Sequence, residues 1–320
     1  MFNNENLPRI ALGTWSWGAG KNGSDAIFGN VYESAQLEEV FNKAVDAGLT
    51  LWDTAFVYGM GSSEKMLAEF IAKSGKDVIL STKFTPRPKL EDNALADTLN
   101  GSLERLNRES VEFYWIHNPQ DVDRWCNLLA EEVKAGKVKY VGVSNHNLEE
   151  VKRAAEVLAQ HGIKLAAVQN HYSLLYRGSE ECGLLDWCKE NDVAFFAYMT
   201  LEQGALTGAF SSKNPFPENS LRAKHISAEE LDALEPLMEV MREIGKKHND
   251  ATNSQVAIAW ALAKGTLPIV GATKLHHVDS VVGALDVQLS AEEIELLETT
   301  AAATGVRKVG VWEKELGPKG

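Results

Sequence analysis

The sequence predicts one α/β domain spanning residues 1–320, a closed (β/α)8 barrel of the TIM type. Three observations predict it. Short apolar, β-branched runs alternate eight times with longer amphipathic segments, a rhythm that suits a closed barrel or a large doubly wound sheet. The apolar runs lack polar alternation, as strands covered on both faces do. The first run leads into Gly13-Thr14-Trp15-Ser16-Trp17-Gly18, which is not the GxGxxG turn of a doubly wound dinucleotide fold.

Strands are expected at residues 9–12, 49–53, 78–82, 111–116, 138–143, 165–169, 193–197 and 267–270. Helical patterns lie at 36–47, 62–73, 92–106, 121–135, 148–161, 180–190, 252–263 and 275–284. Gly48 suits a helix C-terminus, and Ser62-Ser63-Glu64 suits a helix start. Two segments stand outside the alternation. Residues 228–247 form an extra helix before the seventh barrel helix, and 290–303 form a C-terminal helix opened by a Ser290–Glu293 capping box. Residues 211–222, with Pro215, Pro217 and Asn219, are expected to be a loop, and 310–320 have no periodicity.

Composition narrows the function. Hydrophobic residues make up 44% and charged residues 24%, an ordinary globular balance that needs no disulfide or metal staple. A net charge of −13 and a pI near 5.2 argue against a nucleic-acid partner. Cys126, Cys182 and Cys188 show no metal-ligand spacing, so no metal is expected, and their scarcity suits a reducing compartment. The start MFNNENLPRI lacks the pattern of a signal peptide, and no apolar run reaches the roughly 18 residues of a membrane span. The expectation is a cytoplasmic protein, a monomer or weak homo-oligomer, away from membranes.

Polar residues gather where strands end. Asp53 closes the second strand and Tyr58 follows it, Lys83 closes the third, and His117 closes the fourth. In a parallel barrel all these ends share one mouth. Taken singly, each has a plainer reading: Asp53 as a cap, Tyr58 as a packed aromatic, Lys83 as a solvated charge, His117 as structural. Together they suit carbonyl reduction. Hydride attack leaves an alkoxide that needs a proton, and a lysine beside a phenol makes the phenol a better acid. Asp53 would hold Lys83 charged, and His117 would orient the substrate oxygen.

The run Trp52-Asp53-Thr54-Ala55-Phe56-Val57-Tyr58-Gly59, then Ser62-Ser63-Glu64, resembles the signature of aldo-keto reductases. Ser81-Thr82-Lys83, Ile116-His117-Asn118-Pro119, Gly142-Val143-Ser144-Asn145, Val168-Gln169-Asn170-His171-Tyr172 and Gly271-Ala272-Thr273-Lys274 are similar to further segments of that family, in order, over residues 8–300. The resemblance implies a catalytic tetrad of Asp53, Tyr58, Lys83 and His117. It implies that Ser144, Asn145 and Gln169 hold the nicotinamide carboxamide and that Tyr198 stacks on the ring. Thr14 and Trp15 would also meet the cofactor. Leu201, Gln203, Gly204, Leu206 and Gly208 would line the pyrophosphate loop. Gly271, Ala272, Thr273 and Lys274 would open the last barrel helix toward a phosphate, with Lys274 favouring NADP. Trp15 and Trp17, with Tyr58 and His117, are expected to line the substrate pocket.

Each position keeps a plainer alternative. Ser144 and Asn145 would serve equally as caps for the helix at 148–161, Tyr198 as rim packing, and Lys274 as a solvated charge. His276 and His277 read as surface histidines. The sequence departs from the family at Met199-Thr200, which replaces Ser-Pro, and at His277, Ser280 and Val281, where the family has adenine-binding residues. These leave NAD as the alternative cofactor. The short segment ahead of the first strand implies a reduced or missing N-terminal hairpin. The expected activity is NADP-dependent reduction of a small aldehyde or ketone. The alternatives are a sugar or polyol dehydrogenase, or a cofactor-holding regulatory subunit with little turnover.

Overall fold

Eight parallel strands close in sequence order into a barrel in a computed structural model that describes residues 7–309. The strands are β1 (Ala11–Gly13), β2 (Leu51–Asp53), β3 (Ile79–Phe84), β4 (Val111–Ile116), β5 (Val138–Ser144), β6 (Leu165–His171), β7 (Ala194–Tyr198) and β8 (Leu267–Gly271). Ala11 of β1 lies opposite Leu51 of β2 on one side and Ile269 of β8 on the other, which closes the ring. The expectations for the N-terminal hairpin and for the tail fall on residues 1–6 and 310–320, outside the described residues.

The helices in order are α1 (Ser24–Phe28), α2 (Ser34–Asp46), α3 (Ser62–Ser74), α4 (Ala94–Leu106), α5 (Val122–Lys134), α6 (Leu148–Gln160), α7 (Gly178–Glu181), α8 (Leu184–Glu190), α9 (Leu221–His225), α10 (Ala228–Ala233), α11 (Glu235–Lys247), α12 (Asn253–Ala263), α13 (Leu275–Ala284) and α14 (Ala291–Ala303). None of the described helices is long and apolar enough to cross a membrane.

A two-residue period sorts each strand between two cores. Ala11, Leu51, Phe113, Trp115, Ala167, Phe196 and Ile269 fill the lumen. Their neighbours Leu12, Trp52, Tyr114, Ile116, Val168, Ala197 and Val270 pack outward against the helices. This is why the strands read as continuous apolar runs. The same alternation carries Asp53 two residues past Leu51, and His117 two past Trp115, to the lumen side of the mouth.

Several elements differ from expectation, each for a local reason. The helix expected at 180–190 breaks at Gly183, whose φ of 79° is left-handed. The one expected at 228–247 breaks at Leu234, because Pro236 starts a new helix, while Ser227 and Glu230 cap the first half. The expected loop at 211–222 ends inside α9, which Ser220 caps, and α1 was not anticipated. At the start of α3 the cap position belongs to Gly61, not to the serines. Ser63 instead turns its hydroxyl to Thr14, 2.9 Å from the carbonyl and 2.8 Å from the side-chain oxygen. The C-terminal box of Ser290 and Glu293 is present.

Candidate active site

At the mouth, strand-end polarity condenses on Lys83. Its Nζ donates to Asp53 Oδ2 at 2.6 Å, to the Thr54 carbonyl at 2.7 Å and to Tyr58 Oη at 3.2 Å. Lys83 is fully buried, so its charge needs partners of this kind. Burial favours the neutral amine, but Asp53 and Tyr58 outweigh it and hold the pKa above the usual lysine value. Asp53 Oδ1 accepts in turn from Ser81 Oγ at 2.7 Å and from Gln169 Nε2 at 3.1 Å. Ser81 Oγ accepts from the indole of Trp115 at 2.5 Å. Trp115 lies flat against β5 only because residue 142 is glycine, since a Cβ there would collide with its ring.

Tyr58 follows β2 in a tight turn where Gly59 and Met60 take φ of 60° and 51°. The turn bends its ring back over the mouth, half-buried, with Lys83 Nζ 4.7 Å from the ring centroid. Burial pushes the Tyr58 hydroxyl above its usual pKa, Lys83 pulls it down, and Asp53 adds to the rise. The net direction is upward. Lys83 therefore tempers the effect of burial without reversing it, and the phenol keeps its proton at neutral pH. His117 stands beside Tyr58, ring centroids 6.3 Å apart. Its Nδ1 is 2.9 Å from Thr85 Oγ1. Burial, with Lys83 adding, lowers its pKa to about 3, so the imidazole is neutral.

The two tryptophans separate. Trp15 stacks on Tyr58 at 5.6 Å and meets Phe28 edge-on at 5.5 Å, forming one wall of the mouth. Trp17 does not join it, contrary to expectation. It is 3% exposed, packs on Trp52 and Phe70, and donates its indole N–H to the Ala272 carbonyl at 2.8 Å. Two residues along the loop, the chain has turned outward into the layer between barrel and helices. The Thr14 side chain is likewise fully buried, with its hydroxyl donating to the Asp53 carbonyl at 3.1 Å.

Ser144 and Tyr198 end β5 and β7, Asn145 follows β5, and Gln169 lies two residues before the end of β6, all at the same mouth. Helix α6 is capped by Asn147 with Glu150, so Ser144 and Asn145 are not its caps. Asn145 Nδ2 donates to the His117 carbonyl at 2.9 Å, and Tyr198 Oη donates to Asn145 Oδ1. The Tyr198 ring stacks on His171 at 5.7 Å. After β7 the chain turns sharply, with left-handed backbone at Gln203, Gly204 and Gly208. Leu201 is half-buried, while Leu206 sits in the core and supports the loop from beneath.

The segment after β8 departs in part from expectation. Gly271 and Lys274 are exposed, whereas Ala272 and Thr273 are buried. The Thr273 amide, one of the donors expected to face a ligand, donates to His277 Nδ1 at 3.2 Å. His277 is thus half-buried, and burial, with His276 and Lys274 adding, lowers its pKa to about 4. Lys274 holds the N-cap position of α13 and makes no ion pair among the described residues.

Sequence reasoning missed Arg222. It is 8% exposed, its Nη1 donates to the Gln203 carbonyl at 3.3 Å, and its Nε has no partner. The rings of Phe216, Phe210 and Phe28 lie 4.7, 5.1 and 6.0 Å from the guanidinium. Burial lowers its pKa. Phe28 and Phe210 lie 182 residues apart along the chain, so only an arginine in a proline-rich loop was visible beforehand.

The chain matches a known family over nearly all of its length. The model described as Aldo/keto reductase family covers residues 9–302. The chain is 33% identical to the chloroplastic pyridoxal reductase of Arabidopsis thaliana over 314 residues, 91% of this chain and 82% of that one. It is 31% identical to the aldo-keto reductase yakc [NADP(+)] of Schizosaccharomyces pombe over 307 residues, 90% of this chain and 86% of that one. In fold it is similar to a glycerol dehydrogenase of Gluconobacter oxydans, with a TM-score of 0.78, 24% identity, and coverage of 96% of this chain and 95% of the other. The chain therefore belongs to the aldo/keto reductase family of NAD(P)H-dependent oxidoreductases.

Proposed function

We propose that this protein reduces a small aldehyde or ketone to the alcohol with NADPH, and that Tyr58 is the proton donor. The observation that carries the reading is the buried Lys83 ammonium between Asp53 Oδ2 and Tyr58 Oη, at 2.6 and 3.2 Å. A phosphate-bearing dinucleotide fits the residues around the loop after β7. Both amide atoms of Gln203 and the Nε of Arg222 are buried without partners, a costly state that a polar, anionic ligand relieves. Arg222 holds a positive charge with no carboxylate partner among the described residues. Lys274, exposed at the N-terminus of α13, supports the reading of NADP over NAD, since a cation there suits a further phosphate. The S. pombe relative carries NADP(+) in its name.

A nicotinamide cofactor, when bound, would supply the hydride. The protein's part is to hold the carbonyl and deliver a proton. His117, neutral, donates a hydrogen bond to the carbonyl oxygen and orients it without competing as an acid. As the carbonyl carbon accepts hydride, its oxygen takes the proton from Tyr58 Oη. The resulting phenolate is stabilised by Lys83, whose charge Asp53 maintains. Ser144, Asn145 and Gln169 orient the carboxamide, and Trp15 excludes water beside Tyr58. The three cysteines form no disulfide, in keeping with a cytoplasmic enzyme.

The test is a panel of aldehydes, ketones and sugars, followed by loss of NADPH absorbance, with NADH in parallel. Repeated turnover of a carbonyl substrate with NADPH is expected. Tight cofactor binding with no turnover on any of them would reassign the protein to cofactor holding.

A further inference from the structure

The loop leaving β7 is backbone-strained beside the proposed cofactor site. Met199, Glu202 and Gln203 take positive φ of 61°, 47° and 52°. Side-chain-bearing residues avoid this region, and such a run persists only where surroundings hold it. The strongest hold is on Glu202, which is 0% exposed. Its Oε1 lies 2.7 Å from His171 Nε2 and accepts from Ser173 Oγ, and its Oε2 is 3.8 Å from His225 Nε2. His171 ends β6 and His225 ends α9. One carboxylate thus ties the loop to a barrel strand and to the helix that carries Arg222.

The tie reaches the reacting end of the site. The His171 ring packs against Tyr176 at 4.7 Å and Tyr198 at 5.7 Å, and Tyr198 donates to Asn145. On the other side, Gln203 directly follows Glu202 and carries the unpartnered amide. Burial opposes ionisation of Glu202, but His171, with the hydrogen bond from Ser173 and the nearby imidazole of His225, holds its pKa at about 2. The group is ionised at neutral pH.

We infer that Glu202 is a positioning residue for the cofactor: through His171, Ser173 and His225 it latches the strained loop to the barrel, sets the Gln203 amide toward the dinucleotide and braces Tyr198 behind the nicotinamide. The inference rests on the reading of function above. Nothing in the chemistry of hydride transfer requires a carboxylate there, so its effect falls on binding geometry.

The test compares wild type, Glu202→Gln, Glu202→Asp and Ser173→Ala by fluorescence titration with NADPH, at a temperature where each is folded by circular dichroism. Glu202→Gln keeps shape but loses charge, and is expected to raise the NADPH Kd by about tenfold or more. It should also raise hydrogen exchange in residues 199–208. Glu202→Asp, which keeps the charge, should recover part of the affinity. Ser173→Ala, which removes one hydrogen bond to the same carboxylate, should weaken binding in the same direction by less, and it decides the matter if Glu202→Gln does not fold. An unchanged Kd in the folded variants, even with a lowered Tm, overturns the latch and leaves Glu202 merely structural. Failure of the wild type to bind NADPH overturns the functional reading instead.

Discussion

Lys83 Nζ stands 3.2 Å from Tyr58 Oη while both lie at the end of an apolar barrel. Burial keeps the phenol protonated, while Asp53 and Tyr58 hold the ammonium charged against burial, so the proton that the proposed reduction calls for is already in place. Tyr58→Phe keeps the ring that stacks on Trp15 and removes only that proton. The expected result is a fall in kcat of about 10²- to 10⁴-fold with little change in the NADPH Kd. Wild-type turnover by this variant would sink the assignment.

Lys83→Met tests the same contact from the other side. It leaves Asp53 buried with Ser81 and Gln169 but without its cation. Loss of one partner from a buried pair costs about 3–5 kcal/mol, so urea unfolding should show a large drop in stability alongside loss of turnover. A variant as stable as wild type would mean that Asp53 is protonated or hydrated.

His117 has a pKa of about 3 against an ordinary 6.5. The folded state therefore refuses a proton that the unfolded chain accepts. Its contribution to stability is complete above pH 6.5 and is lost as pH falls toward 3. Glu202, at about 2 against 4.5, acts with the same sign over a lower range. Unfolding free energies measured by urea across pH should decline on the acid side, beginning near pH 6.5. NMR titration of the His117 ring should show no protonation near neutrality, and a midpoint close to 6.5 would contradict the proposed neutral hydrogen-bond donor.

Gly142→Ala places a methyl group where the Trp115 ring lies. Overpacking of this kind costs about 1–3 kcal/mol. Because Trp115 holds Ser81, and Ser81 holds Asp53, kcat should fall as well, although residue 142 touches no reacting group. Denaturant melts and steady-state kinetics on the same preparation check both effects. A stability loss with unchanged kcat would show that Asp53 is held adequately without the indole.

Lys274→Ala should weaken NADPH by about tenfold and leave NADH nearly unchanged, since a charge-assisted contact to one phosphate is worth about 1.4 kcal/mol in these terms. Dissociation constants for the two cofactors decide it. Equal losses for both would move Lys274 from the adenosine phosphate to a general electrostatic role.

The barrel and the strand-end places of Asp53, Lys83 and His117 were legible because both depend on local repetition. Eight apolar runs were enough to count strands, and the two-residue period sends Asp53 and His117 to the lumen side whatever the loops do. The helix start at Ser290 was legible too, since a capping box is complete within four residues. Trp17 was misplaced because its ring is captured by Trp52, Phe70 and the Ala272 carbonyl just past β8. Residues 180–190 and 228–247 carried helical patterns across breaks that Gly183 and Pro236 introduce.

By itself, then, the sequence determined the strand count, the parallel strand–helix alternation and the chemical types at the strand ends. Only tertiary structure decided that Arg222 is enclosed by phenylalanines 28, 210 and 216, and that Glu202 meets His171 and His225. The reason is physical. Strand direction and side-chain alternation are set by neighbouring residues, whereas a loop's path is set by whichever distant groups can bury its charges and satisfy its backbone.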